Sequence, residues 1–241
     1  RQLKAKGIKN DFIRLSSGNT RINVKLEGDA ALEINARGPA VSDGDIAALE
    51  EKLKCCKAGD WLILAGSVPD TLPGDIYERL ITRLDGRVKV VVDASGELLL
   101  SVLKYCPFLI KPNHHELGEC FGDGAADTDE TVELYAKMLQ ERGARNVLVS
   151  RAEKGALLLS ESGTVYKTGN AKGTLVNGVG CGDSMVAGFL AGYLKSEDCA
   201  DALVLGTACG NATAYAGALS TKAEVDRLAE EVKSLLEIGE L

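Results

Sequence analysis

Four short, continuous apolar runs, separated by helix-like stretches, restrict this chain to few folds. They are residues 61–65 (WLILA), 88–93 (VKVVVD), 108–111 (FLIK) and 147–150 (VLVS). Runs that are apolar on consecutive residues suit strands covered on both faces, the setting of a parallel sheet between helix layers. Between them, residues 76–84, 98–103 and 131–142 carry apolar side chains at helical spacing, the last behind an Asp127-x-x-Glu130 capping box. Such strand–helix alternation predicts an α/β layered architecture.

The flanking segments read differently. Residues 20–27 (TRINVKLE) alternate Ile22, Val24 and Leu26 with polar neighbours, the pattern of a half-buried strand. Gly28-Asp29 is a hairpin signal and residues 30–36 resume extended character, so a two-stranded flap with one wet face is expected. Residues 1–7 read as a helix end and residues 10–15 as a strand. Ser42 is placed to cap a helix bearing Ile46, Leu49 and Leu53 on one face. The final third reads as mostly helical, over 185–194, 200–216 and 225–236, the last opened by a Thr221-x-x-Glu224 box. Without repeats or linkers, residues 1–241 read as one domain carrying a small flap.

Composition narrows the function. A net charge of −7, from 28 basic and 35 acidic residues, argues against broad binding to nucleic acid or anionic membranes. No apolar run approaches the ~20 residues that span a bilayer, and Arg1-Gln2-Leu3-Lys4 lacks the apolar core of a signal peptide. The first residue is not Met, so a fragment or processed chain is expected. Seven cysteines, an odd number with no Cys-x-x-Cys pair, point to small buried thiols in a reducing cytoplasm. His114 and His115 are adjacent and make poor partners for one metal. The His115-Glu116 start of a zinc-protease helix lacks its second His.

The chemistry concentrates in Asn177-Gly178-Val179-Gly180-Cys181-Gly182-Asp183-Ser184, directly before an apolar helix. Three glycines in five residues let backbone approach a ligand, and the helix start offers unpaired N–H groups to anionic oxygen. A plain glycine-rich turn is the alternative. The dinucleotide fingerprint would need Gly where Asp183 stands, and Gly169–Thr174 (GNAKGT) has Lys before Gly, unlike a Walker A loop. A carboxylate beside an anion hole makes sense if Asp183 takes a proton from a hydroxyl that attacks a phosphoryl group. It also reads as an ordinary helix-start charge.

GVGCGDSMVAGF resembles the G-A-G-D signature of the PfkB, or ribokinase-like, sugar kinases. Further resemblances follow in order: residues 18–25 (GNTRINVK) to the flap strand of the phosphosugar branch, 65–69 (AGSVP) to its G-S-L-P turn, and 92–97 (VDASGE) to D-x-S-G-E. Lys111-Pro112-Asn113 with Glu116 resembles K-P-N-x-x-E, 150–155 (SRAEKG) a nucleotide-side turn, and 210–213 (GNAT) the late adenine-side helix.

The resemblance implies a three-layer sandwich with a mostly parallel central sheet and a β lid at about 18–37. It also implies that the family's N-terminal segment, with an Asp and a Gly-Gly-x-Gly-x-Asn loop for the sugar, is missing here. The TRINVKL stretch is most similar to members that phosphorylate O6 of fructose 1-phosphate with ATP, with tagatose 6-phosphate and fructose 6-phosphate kinases as near neighbours. A non-catalytic binding fragment is the rival reading, and a nicotinamide-binding dehydrogenase a third.

The resemblance further implies residue roles. Asp183 would be the base, and the N–H groups of Gly180, Cys181 and Gly182 would hold the transferring phosphoryl. Cys181 stands where the family usually has Ala. Arg21 would grip the substrate phosphate, with Asn23, Lys25 and Ser67 on the sugar; a solvated charge is Arg21's alternative. Lys111 would neutralise ATP phosphate, and Asn113 and Glu116 would organise Mg²⁺ through water, although a helix-start charge explains Glu116 equally. Ser150, Arg151, Ala152, Glu153, Lys154, Gly155, Asn177 and Asn211 would line the nucleotide side, Asn211 also reading as a helix-packing residue. A small phosphosugar substrate and a homodimer paired through the flap complete the expectation.

Overall fold

In the computed structural model, which describes residues 2–26, 32–84, 86–217 and 219–240, the chain divides into two compact units. One comprises Arg1–Asp60 and Ser67–Val88, the other Trp61–Gly66 and Lys89–Leu241.

The first unit holds α1 (Gln2–Ala5), β1 (Asn23–Leu26), β2 (Leu32–Asn35), α2 (Asp43–Leu53) and α3 (Ile76–Thr82). β1 and β2 form the expected antiparallel ribbon, with Val24 opposite Ile34; the Gly28-Asp29 hairpin signal lies outside the described residues. The expected half-burial does not occur. Val24 is 41%, Leu26 49% and Ile34 52% exposed, because a two-stranded ribbon has no layer of its own to cover an apolar face. Residues 10–15 are not a strand, and no strand pairs with them among the described residues. Ser42 caps α2 in a reciprocal box with Asp45, and Ile46 and Leu53 are buried. Arg79 and Arg83 of α3 both reach Glu50 of α2, at 2.8 and 3.0 Å.

The second unit is one seven-stranded sheet with its helices. It contains β3 (Trp61–Ala65), β4 (Lys89–Asp93), α4 (Gly96–Val102), β5 (Leu109–Ile110), α5 (His114–Glu119), α6 (Asp129–Glu141) and β6 (Asn146–Ser150). Then follow β7 (Ala156–Leu159), β8 (Thr164–Thr168), α7 (Cys181–Ser196), α8 (Cys199–Ala214), α9 (Lys222–Ser234) and β9 (Leu236–Glu240). Strands pair in chain order from β3 to β9, parallel through β6 and antiparallel beyond it. Two successive reversals return β8 to the common direction, so only β7 and β9 oppose the rest.

Several expectations are corrected here. β7, β8 and β9 were not among the expected strands, and Leu236 opens β9 instead of ending a helix. α6 is capped by Thr128, whose Oγ1 accepts from the Thr131 amide at 3.2 Å, in place of the Asp127 box. β3 is less covered than a central strand, with Ile63 47% exposed, because it is the sheet's edge.

The alternation of β6 and β7 places Leu148 and Leu158 against Met185, Phe189 and Leu203 of α7 and α8. Their neighbours Val147, Val149, Leu157 and Leu159 take the opposite face, where α6 packs on β6 and β7. Burying a side chain such as Phe189 contributes roughly 2–3 kcal/mol relative to exposure. α7 and α8 approach closely at Gly188, where an added Cβ would stand 2.7 Å from both the Cys209 sulfur and the Leu205 carbonyl oxygen.

Thr221 caps α9 in the expected box with Glu224, and Leu228 and Val232 of that helix pack on Val204 and Ala208 of α8. Thr221→Ala is expected to cost about 1 kcal/mol and to lower Tm by about 2–4 °C in thermal unfolding. An unchanged Tm would show that the box does not hold α9. All seven cysteines are free, but the expected burial does not occur: Cys55 and Cys106 are exposed and the other five only partly buried. Among the described residues no helix is long and apolar enough to cross a membrane.

Candidate active site

Parallel strands bring their carboxyl ends to one edge of a sheet, where open α/β sheets take ligands. Here Gly66, Asp93, Lys111 and Ser150 follow or end β3, β4, β5 and β6, and Asn113 bridges Ser150. The register pairing Val92 with Ile110 sets the next residues, Asp93 and Lys111, side by side. Their side chains meet, Lys111 Nζ lying 3.1 Å from Asp93 Oδ1. Lys111 is only 5% exposed. Burial pushes the Asp93 carboxyl above its usual range; Lys111 opposes that push, while the charges of Asp183 and Glu116 add to it. Asp93 thus pairs with a buried ammonium while two further carboxylates lie within electrostatic reach of it.

The head of α7 faces the same ammonium. Gly180 caps the helix in the left-handed region, φ 80°, which suits glycine, and no side chain caps the N–H groups that follow. Asn177 Oδ1 accepts from the Val179 amide at 2.8 Å and shapes the loop. A Cβ on Gly182 would lie 3.2 Å from Lys111 Nζ. The missing side chain thus lets the ammonium lie against the first turn of α7, so that a positive charge and the helix-start N–H groups stand side by side, a combination that suits a phosphate group. Burial pushes the Cys181 thiol up, away from the thiolate a nucleophile needs. The Thr213 hydroxyl of α8 donates to Ser184 Oγ at 2.8 Å, and the amides of Val176 and Asn177 donate to the Ala214 carbonyl, fixing the loop to α8.

The turn after β6 is held from several sides. The Arg151 amide donates to the Gly155 carbonyl at 2.8 Å. The Arg151 guanidinium is buried and paired with Asp129 of α6, and Lys154 Nζ donates to the Asp127 carbonyl at 2.8 Å. Both cations are thereby committed to α6 and its approach, while Glu153 is exposed. Asn170 Nδ2 donates to the Ala152 carbonyl at 2.7 Å, and Asn211 Nδ2 donates to Asn170 Oδ1 at 2.8 Å. Asn211 Oδ1 accepts from the Ala171 amide at 2.8 Å. Asn211 therefore ties the 170–171 loop to α8 in a continuous chain that reaches the turn.

Asn113 and Glu116 cap α5 reciprocally. Asn113 Oδ1 accepts from the Glu116 amide at 2.9 Å, and Glu116 Oε2 accepts from the Asn113 amide at 2.8 Å. Among the described residues, no group of three or more His, Cys, Asp or Glu is disposed to hold a metal.

In the first unit, Arg21 Nε donates to Asn23 Oδ1 at 2.9 Å on the exposed ribbon, with Lys25 two residues further along. Ser67 follows β3 and is exposed. The second unit thus gathers Lys111, Asn113, Glu116, Ser150 and Gly180–Asp183, whereas Arg21, Asn23, Lys25 and Ser67 belong to the first. Asp93 was given no role by the sequence, although an acid ending an apolar strand (VVVD) is a readable signal.

The chain belongs to the pfkB family of carbohydrate kinases, whose profile matches residues 1–224. It is a phosphotransferase with a sugar alcohol as acceptor, and its sheet and helix layers are those of the ribokinase-like fold. Over 217 residues it is 47% identical to 1-phosphofructokinase of Bacillus subtilis, covering 90% of this chain and 71% of that protein. It is 33% identical to D-tagatose-1-phosphate kinase of Bacillus licheniformis, covering 92% and 73%. In fold it matches phosphofructokinase-2 of Escherichia coli, solved with potassium, at a TM-score of 0.86 and 21% identity, over 95% of this chain and 76% of that one. The dehydrogenase alternative falls with this membership.

Proposed function

We propose that this kinase transfers the terminal phosphoryl group of ATP to O6 of fructose 1-phosphate, giving fructose 1,6-bisphosphate. The observation that carries the chemistry is the Lys111 ammonium lying against Gly182 in the first turn of α7, a helix head without a side-chain cap, with Asp183 one residue on. The choice of sugar is supported by the relative named 1-phosphofructokinase and by the TRINVK strand.

Asp183 takes the proton of O6 as that oxygen attacks, and becomes the carboxylic acid. The N–H groups of Gly180, Cys181 and Gly182 carry the charge of the phosphoryl in transit, usually the largest catalytic contribution. Lys111 neutralises phosphate oxygen beside them. Arg21 grips the phosphate on O1, because its planar fork gives two parallel hydrogen bonds, and Asn23, Lys25 and Ser67 hold the sugar. Ser150, the 151–155 turn, Asn177 and Asn211 form the nucleotide side. Asn113 and Glu116, whose capping bonds leave Glu116 Oε1 outside the cap, would hold Mg²⁺ through water, and the ion would supply charge neutralisation to the triphosphate. Seven free thiols suit a reducing, cytoplasmic setting.

A coupled assay of ADP release with Mg²⁺-ATP tests the substrate. Turnover is expected to be highest on fructose 1-phosphate, lower on fructose 6-phosphate and tagatose 6-phosphate, and abolished by a chelator. Silence on fructose 1-phosphate with turnover on another sugar would replace the substrate; silence on all three would favour the binding-fragment reading.

The exposed apolar face of the ribbon, Ile22, Val24, Leu26 and Ile34, supports a homodimer paired through the flap. Light scattering on Val24→Glu is expected to report a monomer where the unaltered chain reports a dimer. Identical masses would remove the ribbon from the interface.

A further inference from the structure

Asp93 takes no part in the reaction as read above, yet its carboxylate is the partner of Lys111. The contact follows from topology. β4 and β5 are neighbours in parallel register, so the residues that follow their last paired positions stand abreast with their side chains on one face. Lys111 turns toward the head of α7, where its ammonium lies against Gly182. A buried carboxylate is costly unless paired, and Asp93 lies within electrostatic reach of two more, Asp183 and Glu116. Holding a third acid in this company needs a reason.

The reason lies in what the ammonium would do alone. Lysine is a point charge on a flexible arm with four rotatable bonds, without the geometric preference of a guanidinium. With Asp93 neutral, the ammonium still lies against Gly182, one residue before the Asp183 carboxylate. Pairing with Asp183 would draw the ammonium away from Gly182 and occupy the carboxylate that has to meet the hydroxyl proton.

We propose that Asp93 is a positioning residue: it holds the Lys111 ammonium over the first turn of α7 and keeps it from pairing with Asp183. The inference rests on the phosphoryl-transfer reading above and deepens it, because Asp93 acts on the reaction only through Lys111.

A double-mutant cycle tests it. Asp93→Asn is expected to lower kcat about 10- to 100-fold, the scale of an ångström-sized misplacement, with KM for ATP and sugar changed less than about threefold. Asp93→Asn combined with Lys111→Met is expected to be no slower than Lys111→Met alone, since groups that act as a unit are not additive. A combined loss equal to the product of the single losses would overturn the inference. So would a raised sugar KM with unchanged kcat, which would make Asp93 a sugar contact. Asp93→Glu keeps the charge and guards against a misfolded Asn variant; its expected loss is smaller and of the same kind.

A second readout needs no substrate. In the folded chain, labelling by an amine-reactive ester followed by mass spectrometry is expected to modify Lys111 at least about fivefold faster in Asp93→Asn, because a lysine freed from its buried partner reaches solvent. Other lysines should be unchanged. Equal Lys111 labelling in both proteins would overturn the inference whatever sugar the kinase uses, whereas a silent fructose 1-phosphate assay on the unaltered chain would fault the substrate reading alone.

Discussion

Replacing Asp183 with Asn is expected to lower kcat for sugar phosphorylation roughly 10³-fold, within the range that general bases supply, and to leave ATP affinity within about threefold. The amide is nearly the same size, so α7 keeps its first turn, and the N–H groups of Gly180–Gly182 stay available to phosphate. What disappears is the acceptor for the hydroxyl proton. The loss should therefore fall on kcat and on kcat/KM equally, the pattern of an interaction made only in the transition state. Steady-state kinetics together with calorimetric titration of ATP would measure both. Undiminished turnover would remove Asp183 from the role of base, and a matching loss of ATP affinity would recast it as a nucleotide contact.

The second large effect is on stability. Gly155 closes the turn after β6 with φ 81°, and a Cβ there would lie 1.9 Å from the Thr168 carbonyl oxygen and 2.8 Å from Gly169 Cα. Gly155→Ala combines a left-handed backbone, costing about 1–2 kcal/mol for a non-glycine residue, with an overlap that only a backbone shift can relieve. A loss of about 3 kcal/mol or more is expected, typical of overpacking plus backbone strain. Tm should fall by about 6–12 °C for a chain of this length. Because the shifted backbone includes the turn proposed to line the nucleotide side, KM for ATP should rise as well. Gly124, around which a Cβ meets nothing within 4 Å, provides the comparison: Gly124→Ala should leave Tm nearly unchanged. A thermally unaltered Gly155→Ala would mean that the turn yields freely and does not set the position of Ser150.

The parallel half of the sheet was legible because its strands are buried on both faces and spell unbroken apolar runs, as Val90–Val91–Val92 does. β9 was not, since LEIGE at an exposed edge has neither a run nor strong alternation, and its pairing with β8 is a tertiary fact. Residues 10–15 show the reverse error: a short stretch with Phe12, Ile13 and Leu15 does not become a strand without a neighbour to pair with. The exposure of Val24, Leu26 and Ile34 was equally hidden, because period-2 patterning marks an apolar face and is silent about what covers it. At the site, the loop at 177–184 could be read directly, since helix starts and glycines act locally. The Asp93–Lys111 pair could not, because it depends on the register between β4 and β5. Asn211 was visible as a polar residue in an Ala/Gly-rich helix, but its partners, Asn170 and the Ala171 amide, come from a distant loop.

The close approach of α7 and α8 at Gly188 has a mechanical consequence. The two helices form a stiff arm, seated on the sheet by Phe189 and Leu203 and clasped at its tip by the Thr213–Ser184 hydrogen bond. Gly188 sits about 10 Å along α7 from Cys181 at the helical rise, and it works as a bearing. A single methyl group there would wedge the arm open and swing its tip away from Lys111. If α7 presents the transferring phosphoryl as proposed, its alignment is thus governed from mid-helix, seven residues from the loop that does the chemistry.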